Sequence, residues 1–253
     1  MRIASLGSGS RGNATLIEDG DTCVLIDLGF SLKETVSRLR RAGREPEDIS
    51  AILVTHEHAD HIHGVAPFAR KFGTPVYMTP GTFHGHTKGN IPKLHRVNCH
   101  RGFRVGSLGI EPVPVPHDAR EPCQYIVSKG GHRVGVLTDL GHITPYVQER
   151  YRDCDALLLE CNHDVDMLAE GPYPVSLKRR VGGIHGHLNN GQSASLVSGI
   201  ELARLQHLIV CHISEQNNRP DLAVDALQPA LDRWSGTLHV AEQQLGFDWI
   251  GLD

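Results

Sequence analysis

Residues 55–61 read Thr-His-Glu-His-Ala-Asp-His. The apolar run Ala51–Val54 leads into this stretch and reads as a buried strand. Val65 to Phe72 follows it at helical spacing. On an extended loop, residues two apart point the same way, so His56 and His58 can grip one cation. Asp60 and His61 lie past the bend and can face a second. Three histidines and one aspartate within six residues would make a poor core, because each needs a partner when buried. Two cations need more than four ligands. The others are expected at strand ends, where loops gather on one edge. His117 follows the run Val113–Val115, Asp139 follows Val134–Thr138, and His212 follows Leu208–Cys211. Asp27 also ends a run, beside a glycine. On position alone His117, His142 and His163 stand level, since an isolated strand-end histidine is more often a surface or capping residue than a ligand.

Working outward, short apolar runs at Arg2–Leu6, Ala14–Glu18 and Thr22–Asp27 read as strands, the last two joined by a turn at Asp19-Gly20-Asp21. Ser31 is placed to cap a helix carrying Leu32, Val36 and Leu39, and Gly43 stops it. Further strands are expected at Pro75–Met78, Phe103–Val105, Ile110–Val115, Gln124–Val127, Arg133–Thr138, Ala156–Leu159, Leu208–Cys211, Leu238–Ala241 and Phe247–Ile250. Helices are expected at Pro145–Asp153, Gln192–Glu201 and Leu222–Trp234, with His163–Asn190 irregular. No linker-like segment divides residues 1–253. The expectation is one domain, a two-sheet α/β sandwich with helices outside.

The chain of 253 residues is 40% hydrophobic and 21% charged, which is ordinary globular composition. It has no apolar stretch long enough to span a membrane, and its first residues show no export signal, so a cytoplasmic location is expected. The six cysteines form no C-x-x-C pair and read as reduced, mostly buried thiols. A net charge of −4 argues against non-specific nucleic-acid binding over the whole surface, without excluding a local basic groove. The unusual count is histidine, at 17.

The H-x-H-x-D-H pattern after a strand, with the later His, Asp and His in order, resembles the metallo-β-lactamase superfamily over essentially the whole chain. The resemblance implies a four-layer αββα sandwich. It assigns His56, His58 and His117 to one metal, Asp60, His61 and His212 to a second, and Asp139 as a bridge between them. Asp27 matches an acid that orients the site from behind the ligands. The diiron oxygen-reducing branch resembles H-x-E-x-D-H. Here His58 holds the second position, which favours a hydrolytic site with zinc first, manganese next and iron as the third option. Glu57, between the ligands, is expected to point away.

Five further motifs narrow the family: Ser8–Asn13, Leu159–Asp164, Gly171–Pro174 with Leu177–Arg180, Gly186–Asn190 and His212–Asn218. Together they resemble the WalJ (YycJ) subfamily, with Asn189 a conservative departure where a Ser is usual nearby. That resemblance implies a DNA 5′→3′ exonuclease that hydrolyses terminal phosphodiester bonds with a metal-bridging hydroxide. Two cations suit that chemistry, holding the attacking oxygen and the charge on the leaving side. Asp60, His187 and Asp27 are the expected catalytic residues, with His187 placed to protonate the leaving oxygen or clamp the phosphate. Ser8, Ser10, Asn13, Arg179, Arg180, His187 and Asn217 are the expected substrate contacts; the Ser8–Asn13 turn offers hydroxyls and N–H groups to a phosphate. Asn217 and Asn218 are expected at the cleft mouth. The interval from Asp139 to His212 is 212 − 139 = 73 residues, too short for the extra domain of the larger RNA-processing nucleases. The alternatives are a phosphodiesterase for a small cyclic phosphate, a thioester or lactone hydrolase, and a non-catalytic metal-binding module.

Overall fold

The structure is a computed structural model that describes residues 1–85 and 89–253. Its elements in chain order are β1 (Arg2–Gly7), β2 (Ala14–Asp19), β3 (Thr22–Ile26), α1 (Leu32–Arg41), β4 (Ile49–Leu53), α2 (Ala59–Ile62), α3 (Val65–Phe72), β5 (Val76–Met78), α4 (Pro80–Gly85), β6 (Leu94–Arg96), β7 (Phe103–Val105), β8 (Leu108–Pro114) and β9 (Cys123–Lys129). There follow β10 (His132–Leu137), α5 (Pro145–Tyr151), β11 (Ala156–Glu160), α6 (Val165–Glu170), α7 (Val175–Val181), α8 (Asn190–Val197), β12 (His207–Cys211), α9 (Pro220–Leu227), β13 (Thr237–Val240) and β14 (Phe247–Gly251).

The chain divides into two compact units. The first is Met1–Pro114 with Ala119–His132 and Glu242–Asp253; the second is Val115–Asp118 with Arg133–Ala241. The first holds a seven-stranded sheet in the order β14-β1-β2-β3-β4-β5-β6. It opens antiparallel, and from β3 onward each neighbour is parallel. An antiparallel meander, β7-β8-β9, completes this unit. Leu16, Leu25, Ile52, Val54, Leu39, Phe68 and Val76 belong to its core and are almost fully buried. Ser31 caps α1, its Oγ accepting from Glu34 N, and Gly43 follows the helix at φ 68°.

In the second unit β10, β11, β12 and β13 run parallel in that order. β11 reads Ala-Leu-Leu-Leu-Glu and is buried at every position, the mark of a strand covered on both faces rather than an alternating one. Parallel neighbours put the C-terminal ends of β10, β11 and β12 side by side, the usual place for chemistry in such sheets.

Two expectations needed correction. His163–Asn190 is not irregular: it carries α6 and α7, whose starts at Asp164 and Pro174 use a side-chain cap and a proline turn rather than an apolar stripe. Leu222–Trp234 is shorter than expected, because α9 ends at Leu227 where Pro229 tightens the chain into a 3-10 turn. No helix among the described residues is long and apolar enough to cross a membrane.

Candidate functional site

In the first unit the loop after β4 places the histidine cluster. Thr55 is fully buried, and Asp27, one residue past β3, binds it twice: Oδ1 accepts from Thr55 N and Oδ2 from Thr55 Oγ1, each at 2.8 Å. Since the Thr55 hydroxyl donates to Asp27, it can only accept from His56 Nδ1, 2.9 Å away. His61 Nδ1 donates to the same Asp27 oxygen at 2.8 Å. Both imidazoles therefore carry their proton on Nδ1 and turn Nε2 outward, the state a metal ligand needs. Burial pushes the Asp27 carboxyl up, and the donors from His61 and Thr55 oppose that shift.

The His56 ring lies 4.5 Å from His58 and 4.2 Å from His61, centroid to centroid. Asp60 Oδ2 is 3.4 Å from His61 Nε2. The four residues expected at the loop are thus brought together. Glu57 turns away from them, its Oε1 accepting from Arg120 N at 2.9 Å. Close backbone approach fixes the loop. A Cβ at Gly29 would stand 1.9 Å from the Asp60 carbonyl oxygen, so only glycine fits beside it.

Asn13 is buried, with Nδ2 3.1 Å from His61 Nε2 and Oδ1 accepting from Gly9 N. It ties the Ser8–Asn13 turn to the histidine loop. Ser8 is also buried, whereas Ser10 is exposed.

In the second unit Glu160, the last residue of β11, is fully buried and organises everything around it. Its Oε1 accepts from His187 Nδ1 at 2.8 Å and from His212 Nδ1 at 2.9 Å. Its Oε2 accepts from Leu140 N and Leu188 N. Burial pushes this carboxyl up, but the charge of His187 and the hydrogen bonds from both imidazoles outweigh it and hold it below the ordinary range. Burial alone would lower His187; the Glu160 carboxylate raises it. Asp139 lies two residues past β10, its Oδ1 3.4 Å from Nδ1 of both His187 and His212. Asp139, Glu160, His187 and His212 each present a donor atom, and the four atoms all lie within 4.8 Å of one another. His117 is buried and bonds through Nδ1 to the Gly186 carbonyl, which again leaves Nε2 as the outward nitrogen.

The backbone records the same positions. Among the described residues, four non-glycine residues have positive φ: Asp27 at 60°, Asp139 at 54°, His212 at 52° and Arg233 at 64°. Three of these are the expected strand-end site residues. Left-handed backbone at such positions is sparsely populated and clusters at functional sites.

The other expected contacts are spread more widely. Arg180 pairs with Asp118, and Arg179 is exposed on α7. Asn217 and Asn218 are not at an open mouth. Both are buried, at 1% and 4% exposure. Asn218 exchanges amide hydrogen bonds with Asn190 at 2.8 and 3.0 Å, and the Asn217 carbonyl accepts from Asp164 N. These amides lock the loops that carry His187 and His212. His163 is buried, which lowers it to about 4, and its Nδ1 has no hydrogen-bond partner among the described residues. His142 bonds to the Ile184 carbonyl at the surface.

Sequence reading missed Glu160. Its signal was an acid closing a strand of otherwise unbroken apolar residues, the same position that singled out Asp27 and Asp139. The imidazole and carboxylate donors, with carboxylates fixing the outer nitrogens, are of the type that holds divalent metal ions.

A family model for the β-lactamase superfamily domain matches residues 22–213. The exodeoxyribonuclease YycJ of Bacillus anthracis is 33% identical over 92% of this chain and 89% of its own. The exodeoxyribonuclease WalJ of Streptococcus pneumoniae serotype 2 is 35% identical over 88% of this chain and 85% of its own. In fold, the metallo-β-lactamase fold protein YhfI of Bacillus subtilis superposes with a TM-score of 0.74 at 18% identity, covering 99% of both chains. The fold expected from the sequence is thereby met, and the chain belongs to the metallo-β-lactamase superfamily, in the branch of its WalJ and YycJ relatives.

Proposed function

We propose that the protein is a metal-dependent DNA exonuclease that hydrolyses terminal phosphodiester bonds from the 5′ end. The observation that carries the substrate is the likeness to the two exodeoxyribonucleases over about nine-tenths of the chain. The chemistry is supported by the donor set. His56, His58, Asp60, His61, His117, Asp139 and His212 are the donors we assign to two divalent cations, zinc or manganese. When bound, such ions supply Lewis acidity toward a phosphoryl oxygen and an activated water.

The chain's own residues do the rest. Asp27 keeps the proton of His61 on Nδ1 and, through Thr55, that of His56. Glu160 does so for His212 and His187. His187 is half-buried, and the Glu160 carboxylate at its Nδ1 favours the doubly protonated ring, so its Nε2–H is the donor for the substrate: it holds a phosphate oxygen or passes that proton to the leaving oxygen. Arg179 and Ser10, both exposed, are the phosphate contacts farther along the strand.

The test is incubation with linear DNA, covalently closed circular DNA and a cyclic mononucleotide, each with Mn²⁺ or Zn²⁺. An exonuclease releases mononucleotides from the linear form and leaves the circle intact. Turnover of the cyclic mononucleotide with both DNAs untouched would replace this reading with the small-molecule phosphodiesterase.

A further inference from the structure

From His61 to Ile110 the sequence contains no Asp or Glu and seven Lys and Arg, so this segment carries +7 and the other residues −4 − 7 = −11. Four of these cations, Lys93, Arg96, Arg101 and Arg104, lie on β6, β7 or the loops beside them, and Arg70 and Lys71 are on α3. Within that segment three rings lie nearly parallel. Tyr77 on β5 stacks with His95 on β6, centroids 4.5 Å apart and planes at 13°. It also stacks with Phe103 on β7, at 4.9 Å and 8°. His95 is exposed; Tyr77 and Phe103 are half-buried. Lys93, Arg96, Arg101 and Arg104 surround the stack in sequence and are exposed. Among the described residues none of the four pairs with a carboxylate.

We infer that this stack is an accessory platform for single-stranded nucleic acid, DNA on the reading above. An exposed ring on an aromatic stack, bordered by cations that pair with no carboxylate, is what an unstacked base and its flanking phosphates require. A duplex keeps its bases stacked on one another and offers the rings nothing. The platform stands near the histidine loop. Tyr77 lies opposite Leu53 in the β4–β5 register, and His56 is three residues beyond Leu53, about 10 Å along the strand direction. A strand whose end is at the histidine loop can therefore lie across His95 a few nucleotides away.

The test is binding of fluorescently labelled phosphorothioate oligothymidylates, about 5 and about 30 nucleotides long, to the full-length protein. His95→Ala removes an exposed ring and should weaken binding of the long oligomer about tenfold, with little change for the short one. The Lys93→Glu/Arg101→Glu double variant should flatten the salt dependence of long-oligomer binding by about 1 in log–log slope. Equal affinity of His95→Ala and wild type for the long oligomer, or a duplex competing as well as the single strand, overturns the platform. A lower melting temperature with unchanged affinity also overturns it, leaving a stack that only closes the edge of the core. Failure of the exonuclease reading is a separate result. His95-dependent binding without digestion of any DNA retires the exonuclease and keeps the platform; digestion without His95-dependent binding does the reverse.

Discussion

Glu160 Oε1 accepts a hydrogen bond from His212 Nδ1 at 2.9 Å, so one buried carboxylate sets which nitrogen His212 turns outward. The same oxygen accepts from His187 and the other oxygen from two backbone N–H groups. Glu160→Gln keeps the shape but puts an amide NH₂ against donors whichever way it turns. It should lower stability by about 1–3 kcal/mol and weaken metal affinity about 10- to 100-fold. Calorimetric metal titration beside a denaturant melt checks both. Unchanged metal affinity would mean that Glu160 is only a structural acid.

Asp27 serves the first unit in the same way, from a residue at φ 60°. Asn tolerates left-handed backbone and Ala does not. Melting temperatures should therefore fall in the order wild type, Asp27→Asn, Asp27→Ala. The first step loses hydrogen bonds to Thr55 and His61, and the second adds backbone strain. Equal melting points for the two variants would contradict the backbone argument.

Gly29→Ala tests the loop directly. The added methyl would meet the Asp60 carbonyl at 1.9 Å. Backbone must shift to relieve it, at a cost of about 1–3 kcal/mol, and the shift moves Asp60 itself. Nuclease rate should fall at least as far as in the Asp27→Asn variant, with His187 untouched. A variant that melts and digests like wild type would mean the loop has room to move.

Away from the site, Glu18 gathers Arg44 and Arg2, its two oxygens 2.6–2.8 Å from Arg44 Nη2 and Nε. Burial pushes its carboxyl up, but the hydrogen bonds and charges of Arg44 and Arg2 outweigh it and hold it below the ordinary range. A depressed folded pKa contributes stability above the unfolded value of about 4.3 and loses it as pH falls through the folded value. Glu18→Gln should cost about 1.5–3 kcal/mol at neutral pH. The gap to wild type should narrow below about pH 4 as Glu18 protonates. Urea unfolding across that range reads it, and a gap that widens with acid would reverse the sign.

The histidine loop was legible because its residues are contiguous and chemically costly to bury. His117, Asp139 and His212 were legible because each ends an apolar run. Glu160 closes an apolar run as they do, but its role depends on which imidazoles the fold brings to it, and no local pattern encodes that. Asn217 and Asn218 were expected at the cleft mouth; Asn218 is instead held by amide pairing with Asn190, 28 residues earlier at the start of α8, a pairing the local sequence does not reveal. α6 and α7 were hidden for a related reason. Short helices with one buried residue or none carry no apolar stripe to read.

The central claim is most directly tested by a time course on linear DNA labelled at its 3′ end, beside the same DNA labelled at its 5′ end, with Mn²⁺ present. The account predicts immediate release of the 5′ label as mononucleotide and stepwise shortening of the 3′-labelled strand, both abolished by His58→Ala. Immediate release of the 3′ label, or equal digestion by His58→Ala, would contradict it.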